Sequence, residues 1–195
     1  MMKNLIWILM AFTLLFASCK KKESCEFVNF KYYNGTQYDL GTLQNNYILI
    51  GVDTIYSDNQ IRNFISTINY FDQNYTYTIH TMGLYKFKEV PLRLNSSKTC
   101  EQITQIISEL EQNKIVAYAH YTMQTNDCQN AIWEEMGNLC INSYGSSFYV
   151  KVFDESNLTD LNQKITETNI ELVNQNEFMP KWFELRATKN SNGDA

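Results

Sequence analysis

From residue 47 onward the chain alternates short apolar runs with amphipathic stretches in a fixed order, and that order restricts the fold more than any other feature. Tyr47-Ile48-Leu49-Ile50-Gly51-Val52 reads as a short apolar strand, and Ile61, Phe64, Ile65 and Ile68 then recur at helical spacing. Tyr75 to Thr81 alternates like a strand, Met82-Gly83-Leu84 like a turn, and Tyr85 to Leu94 like a second strand. Pro91 assigns that second strand to an edge or a bulge, because proline donates no ladder hydrogen bond. Thr99 and Gln102 have capping-box spacing ahead of Ile103, Ile106, Ile107 and Leu110, and Ile115 to Tyr121 is the last strand. The order β-α-β-β-α-β over 47–123 predicts a ferredoxin-like unit.

A similar order begins at residue 146. Phe148 to Phe153 is a strand, and Ser156 is placed to cap a helix carrying Leu158, Leu161 and Ile165. Ile170 to Val173 and Trp182 to Ala187 are two more strands, and the polar run from Lys189 leads to Ala195. The fold class expected is α+β, two tandem ferredoxin-like units with the second (146–195) truncated before its last helix and strand. Its expected core is Val150, Val152, Leu161, Ile165, Leu172, Trp182 and Leu185, with one helix-covered half-face open. The 146–195 unit is therefore expected to be less stable than 47–123. Upstream, residues 19–46 form a tether and an N-terminal hairpin signalled by Asn34-Gly35 between tyrosines, and 124–145 is a Cys-flanked connecting loop.

Residues 1–18 read as an address. Lys3 precedes an apolar run, Leu5 to Phe16, that is too short to span a bilayer and suits a secretory signal. Leu15-Phe16-Ala17-Ser18-Cys19 resembles a bacterial lipobox, with Phe16 standing where Leu is commoner; the alternatives are an ordinary signal peptide with an incidental cysteine and, last, a transmembrane anchor. Lipidation at Cys19 would place Lys20-Lys21-Lys22 beside lipid head groups as a polar tether. The chain is then exported and lipid-anchored in the cell envelope, on the periplasmic or surface face of an outer membrane. Loss of residues 1–18 removes one lysine and takes the net charge from −5 to −6.

Export makes an oxidising compartment, so Cys25, Cys100, Cys128 and Cys140 read as two disulfides with three possible pairings. Cys128–Cys140 closes a short local loop, which leaves Cys25–Cys100 by elimination; four buried free thiols are the other reading. The spacing fits no zinc motif, and no metal or cofactor is expected. A pI near 5.1 argues against nucleic acid as a partner. His80 and His120 each sit inside a strand pattern, Gly145-Ser146-Ser147 lacks the nucleophile-elbow pattern, and adjacent Glu134 and Glu135 do not share a face. Trp133, Trp182 and Phe183 are candidates for core packing first and partner contact second.

Phe148-Tyr149-Val150-Lys151-Val152, then Asn174-Gln175-Asn176-Glu177-Phe178-Met179-Pro180-Lys181-Trp182-Phe183, then Ala187 to Ala195 resemble the N-terminal region of secreted Bacteroidetes subtilisin-like serine endopeptidases and of small lipoproteins related to it. The resemblance is best over 146–195 and looser over 47–123. It implies a prodomain-like module whose sheet docks on the helices of a cognate protease, as a folding aid or an inhibitor. The subtilase motifs Asp-Thr-Gly, His-Gly-Thr and Gly-Thr-Ser-Met are absent from this sequence, and Asp53-Thr54 is followed by Ile55. No catalytic residue is therefore assigned, and the chain is expected to be a non-catalytic module or a piece of a protease precursor. A stand-alone envelope lipoprotein for adhesion or polymer binding is the alternative.

Overall fold

The computed structural model describes residues 25, 27–81, 86–129, 131–135 and 137–192. The signal segment, the lipobox with Cys19 and the expected turn at 82–84 lie outside them. The described chain is α+β, with antiparallel sheets and three helices among the described residues.

The first element is the expected hairpin. β1 (Phe30–Tyr33) and β2 (Thr36–Asp39) pair through Asn34 and Gly35, both at positive φ (50° and 75°). Two consecutive left-handed residues make the type I′ turn whose twist matches the flanking strands.

β3 (Thr42–Asp53) organises the main sheet. Its register sets Ile50 opposite Val90 of β5 (Phe87–Arg93) and Ala119 of β6 (Val116–Thr125). β4 (His80–Thr81), β7 (Trp133–Glu135) and β8 (Leu139–Asn142) complete this first sheet in the order β4-β5-β3-β6-β8-β7. α1 (Asp58–Ser66) connects β3 to β4, and α2 (Cys100–Glu111) connects β5 to β6. Ile61, Phe64 and Ile65 of α1 and Ile103, Ile106 and Leu110 of α2 share one core with Ile48, Ile50, Val52, Val90 and Leu92, so both helices cover the same sheet face. Capping boxes start both helices, Ser57 with Gln60 and Thr99 with Gln102.

The opposite face of β3 is also buried. Tyr118 lies over Gly51, where an added Cβ would overlap the ring. The ring is held by an edge contact with Phe87 (5.5 Å) and by its hydroxyl, which donates to Glu89 at 2.8 Å. Burial on both faces explains why Tyr47 to Val52 is an uninterrupted apolar run rather than an alternating one.

A second sheet is ordered β10-β11-β9. β9 (Ser147–Lys151) and β10 (Glu171–Gln175) flank the central β11 (Trp182–Arg186), and α3 (Thr159–Thr168) links β9 to β10. All neighbours are antiparallel. Phe183 and Leu185 are buried on one face of β11, and Glu184 and Arg186 on the other. Arg186 bonds Glu171 and sets its guanidinium 5.2 Å from the Phe87 ring, which joins this sheet to the first. The chain after β11 runs on to the first sheet, where Lys189 N–H donates to the Ala117 carbonyl at 2.9 Å.

Several expectations are corrected. Residues 124–145 are more than a connecting loop, since β7 and β8 extend the first sheet there. Of 75–81, only His80 and Thr81 pair as strand, because the preceding residues turn aside so that Tyr75 packs on Tyr47 at 5.9 Å. Pro91 lies in a strand with neighbours on both sides, but β4 reaches only Lys88 and Glu89, so that side of Pro91 has no ladder to interrupt. Ser156 does not cap α3; its hydroxyl donates to Asp154, and Leu158 takes the cap position without a side-chain bond. Of the core residues expected in the second unit, Leu185 alone is fully buried, and no residue of α3 is.

Both expected disulfides are present. Cys25–Cys100 ties the N-terminal segment to the start of α2, and Cys128–Cys140 closes the β6–β8 connection. Their separations of 75 and 12 residues correspond to about 4.5 and about 3 kcal/mol of stabilisation in the chain-entropy model.

Gly51 supplies the first prediction. Tyr118 is wedged and hydrogen-bonded, so Gly51→Ala forces the ring or the sheet to shift. Urea unfolding should show a loss of roughly 1–3 kcal/mol, the cost of overpacking a filled core. An unchanged midpoint would mean that the ring moves freely.

Candidate functional site

Two surface features are candidates. The first is a cleft of about 310 Å³ beside β6, lined by Glu111, Tyr118, His120, Tyr144, Thr188 and Lys189 among others. His120 stacks on Tyr118 (centroids 4.8 Å) and also contacts the Tyr144 ring (4.5 Å). Burial among these rings lowers the imidazole pKa to about 4, so it is neutral at pH 7. Burial raises the Glu111 carboxyl, against the pull of the Ala119 N–H that it accepts at 3.1 Å and the charge of Lys189. The Tyr118 hydroxyl is spent on Glu89, and the Ser191 hydroxyl accepts from Thr188 N–H and donates to the Asn169 carbonyl. These groups are engaged in holding the two sheets and the C-terminal segment together. Among the described residues no three His, Cys, Asp or Glu side chains are placed to hold a metal.

The second feature is one end of the second sheet. The unusual run Asn174 to Trp182 proves to be a built turn. Asn176 Oδ1 accepts from the N–H groups of Phe178 (2.9 Å) and Met179 (2.8 Å), and Gln175 donates to the Pro180 carbonyl at 2.5 Å. The turn pushes Phe178 and Met179 outward, 91% and 50% exposed. Phe153, fully exposed, stands at the same end, because Val152 N–H donates to the Lys181 carbonyl and the Lys181 ammonium to the Phe153 carbonyl, both at 2.9 Å. β9, with Tyr149 half-exposed, is the edge strand beside this cluster. An edge strand bordered by large exposed apolar side chains is suited to pairing with another strand.

The other residues singled out in the sequence have structural places. Trp133 packs on Tyr47 at 6.3 Å and donates to Glu135 at 3.1 Å. Glu135 also accepts from Tyr75, whose hydroxyl pKa rises chiefly through burial and then through this carboxylate. Phe183 is core, while Trp182 is half-buried beneath the Lys151 ammonium at 5.8 Å. His80 is exposed on the short edge strand, and Ser146 donates to the Ala187 carbonyl. Sequence reasoning missed the outward display of Phe153, Phe178 and Met179. The Asn176 side chain two and three residues before the exposed pair was the available signal, since Asn commonly caps such turns.

Comparison with family models, with characterised proteins and with solved structures finds no match.

The depressed His120 pKa sets a pH dependence. The unfolded chain takes up this proton near pH 6.5, and the folded chain only near pH 4. Full stability is present above pH 6.5, is lost as pH falls through the interval to about 4, and is flat below it for this group. Relative to His120→Phe, which keeps the stack, the wild type should lose on the order of 3 kcal/mol across that window. Parallel urea titrations of the two proteins at pH 7 and pH 4 measure the difference; identical pH profiles would show that His120 does not remain neutral in the folded state.

Proposed function

We propose that this chain is an exported, lipid-anchored, non-catalytic module that binds another protein through the open end of its second sheet, in the manner of a subtilisin-like protease prodomain. The supporting observation is the order of the strands. In the first sheet the order β4-β5-β3-β6 sets the third strand of the run between the first and the second, with both helices on one face. We read this order as supporting the split β-α-β arrangement of a ferredoxin-like unit. In the second sheet, β10-β11-β9 repeats the first three places of that order. The fourth strand of such a unit would lie against β9, the strand that here is an edge. A partner's strand, or a further segment of polypeptide, completes the sheet by β-augmentation, with main-chain bonds supplying affinity and side-chain pockets supplying selectivity.

The oxidised cysteines fit an extracytoplasmic compartment, and no helix among the described residues is long and apolar enough to cross a membrane. Attachment is assigned to a lipid on Cys19. The resemblance of 146–195 to the N-terminal region of subtilisin-like proteases makes such a protease the proposed partner, restrained or assisted in folding by this module.

The test uses the oxidised chain from Cys19 onward and a subtilisin-like protease of the same cell. The module should slow hydrolysis of a peptide substrate, and Phe153→Asp with Phe178→Asp should weaken inhibition at least tenfold while leaving the unfolding midpoint unchanged, because both side chains are exposed. Absence of both binding and inhibition at tens of micromolar would refute the protease reading. Acylation is read separately: labelled palmitate should enter the wild type and not Cys19→Ser.

A further inference from the structure

The hairpin of β1 and β2 forms a two-stranded sheet of its own, joined by no ladder to either of the larger sheets among the described residues. Its four aromatic residues lie on both of its faces. Phe30 and Tyr32 share one face (5.6 Å between rings), and Tyr33 and Tyr38 share the other (6.3 Å). Tyr32, Tyr33 and Tyr38 are 67%, 70% and 46% exposed. The base is firmly held. Leu40 is buried, its N–H donates to the Asn29 carbonyl at 2.7 Å, and the Asn29 side chain donates to the Gly41 carbonyl at 3.2 Å. A two-stranded hairpin alone in water is marginal, and this one carries large aromatic surface without a core beneath it.

We infer that this hairpin inserts its tyrosines into the head-group region of the bilayer that anchors the chain. The inference rests on the lipid-anchored reading of Cys19. Three observations select a membrane. Cys25 is fixed to α2 by its disulfide, so six residue steps separate the lipid-bearing position from the folded body, a reach of roughly 20 Å even when fully extended. The hairpin starts only five residues further on, at Phe30. Aromatic residues on both faces suit a medium that surrounds the finger, whereas a protein surface or a sugar ring would cover one face. Tyrosine is also the side chain that rests between acyl chain and water, with an apolar ring and a hydroxyl that stays hydrated. Lys31 and Asp39 leave the hairpin without net charge, so its contact with lipid should not depend on salt.

The test is made independent of natural acylation. With Cys25, Cys100, Cys128 and Cys140 paired, Cys19 is the free thiol of the chain from residue 19 onward, and it couples to a maleimide lipid in phosphatidylethanolamine vesicles containing brominated lipid. Two tryptophan probes are compared against the same background. Tyr33→Trp reports the hairpin tip. Ile55→Trp reports an exposed site past the far end of the twelve-residue β3, about 36 Å along the strand from the hairpin side. The expected result is at least twofold quenching and a blue shift of the Tyr33→Trp emission, unchanged in 1 M salt, with Ile55→Trp unaffected. Equal quenching of the two probes, or none at Tyr33→Trp, would overturn the inference. Because the tether is chemical, either result stands whether or not cells acylate Cys19, and palmitate labelling decides that question alone.

Discussion

The close approach of Tyr118 to Gly51 is the contact on which the rest of the structure depends. It lets β3 be buried on both faces. Helices α1 and α2 cover one face with aliphatic side chains, and an aromatic and polar layer covers the other: Phe87, Tyr118 and His120, then Tyr144 and Arg186. A side chain at position 51 would lift that layer. The second sheet would then lose the surface it meets through Arg186, and the cleft beside β6 would lose its floor.

The two sheets are consequently unequal. The first has an aliphatic core, two capped helices and a disulfide at each side of its folding unit. The second has Phe183 and Leu185 as its buried centre and a helix whose Leu161 and Ile165 are only half-covered. Burying one large apolar side chain contributes about 1.5–3 kcal/mol. A sheet with two such residues and a half-covered helix therefore leans on its neighbour. Partial coverage and the β9 edge belong together in the proposed function: the feature that weakens the sheet by itself is the one offered to another strand.

Much of the first sheet was legible in the sequence because each signal there had one local cause. The i, i+3, i+4, i+7 spacing gave α1, the Thr99–Gln102 box gave the start of α2, and Asn34-Gly35 gave the hairpin turn. Both disulfides followed from loop length and elimination. What escaped depended on distant partners. Tyr75 leaves the strand pattern because Glu135 and Tyr47 are elsewhere in the chain. β7 and β8 are short enough to read as loop until β6 gives β8 a ladder and β8 gives β7 one. Arg186 has the pattern of an ordinary alternating polar residue, and its burial against Phe87 is visible only once both sheets are placed. For the candidate site, the unusual Asn174–Trp182 run was conspicuous in sequence, but its role as a turn displaying Phe178 required the Asn176 hydrogen bonds.

The central proposal is that a self-sufficient first sheet supports a second that depends on it and offers its β9 edge to a further strand. Native-state hydrogen exchange tests this most directly, read at two central strands so that edge fraying does not enter. The amides of Ile48 to Ile50 in β3 should exchange only by global unfolding. Those of Phe183 to Leu185 in β11 should exchange through a separate opening of lower free energy, with protection rising when a partner binds at β9. Equal protection in the two strands, unchanged by any partner, would show one cooperative unit that is complete as it stands and would contradict the account.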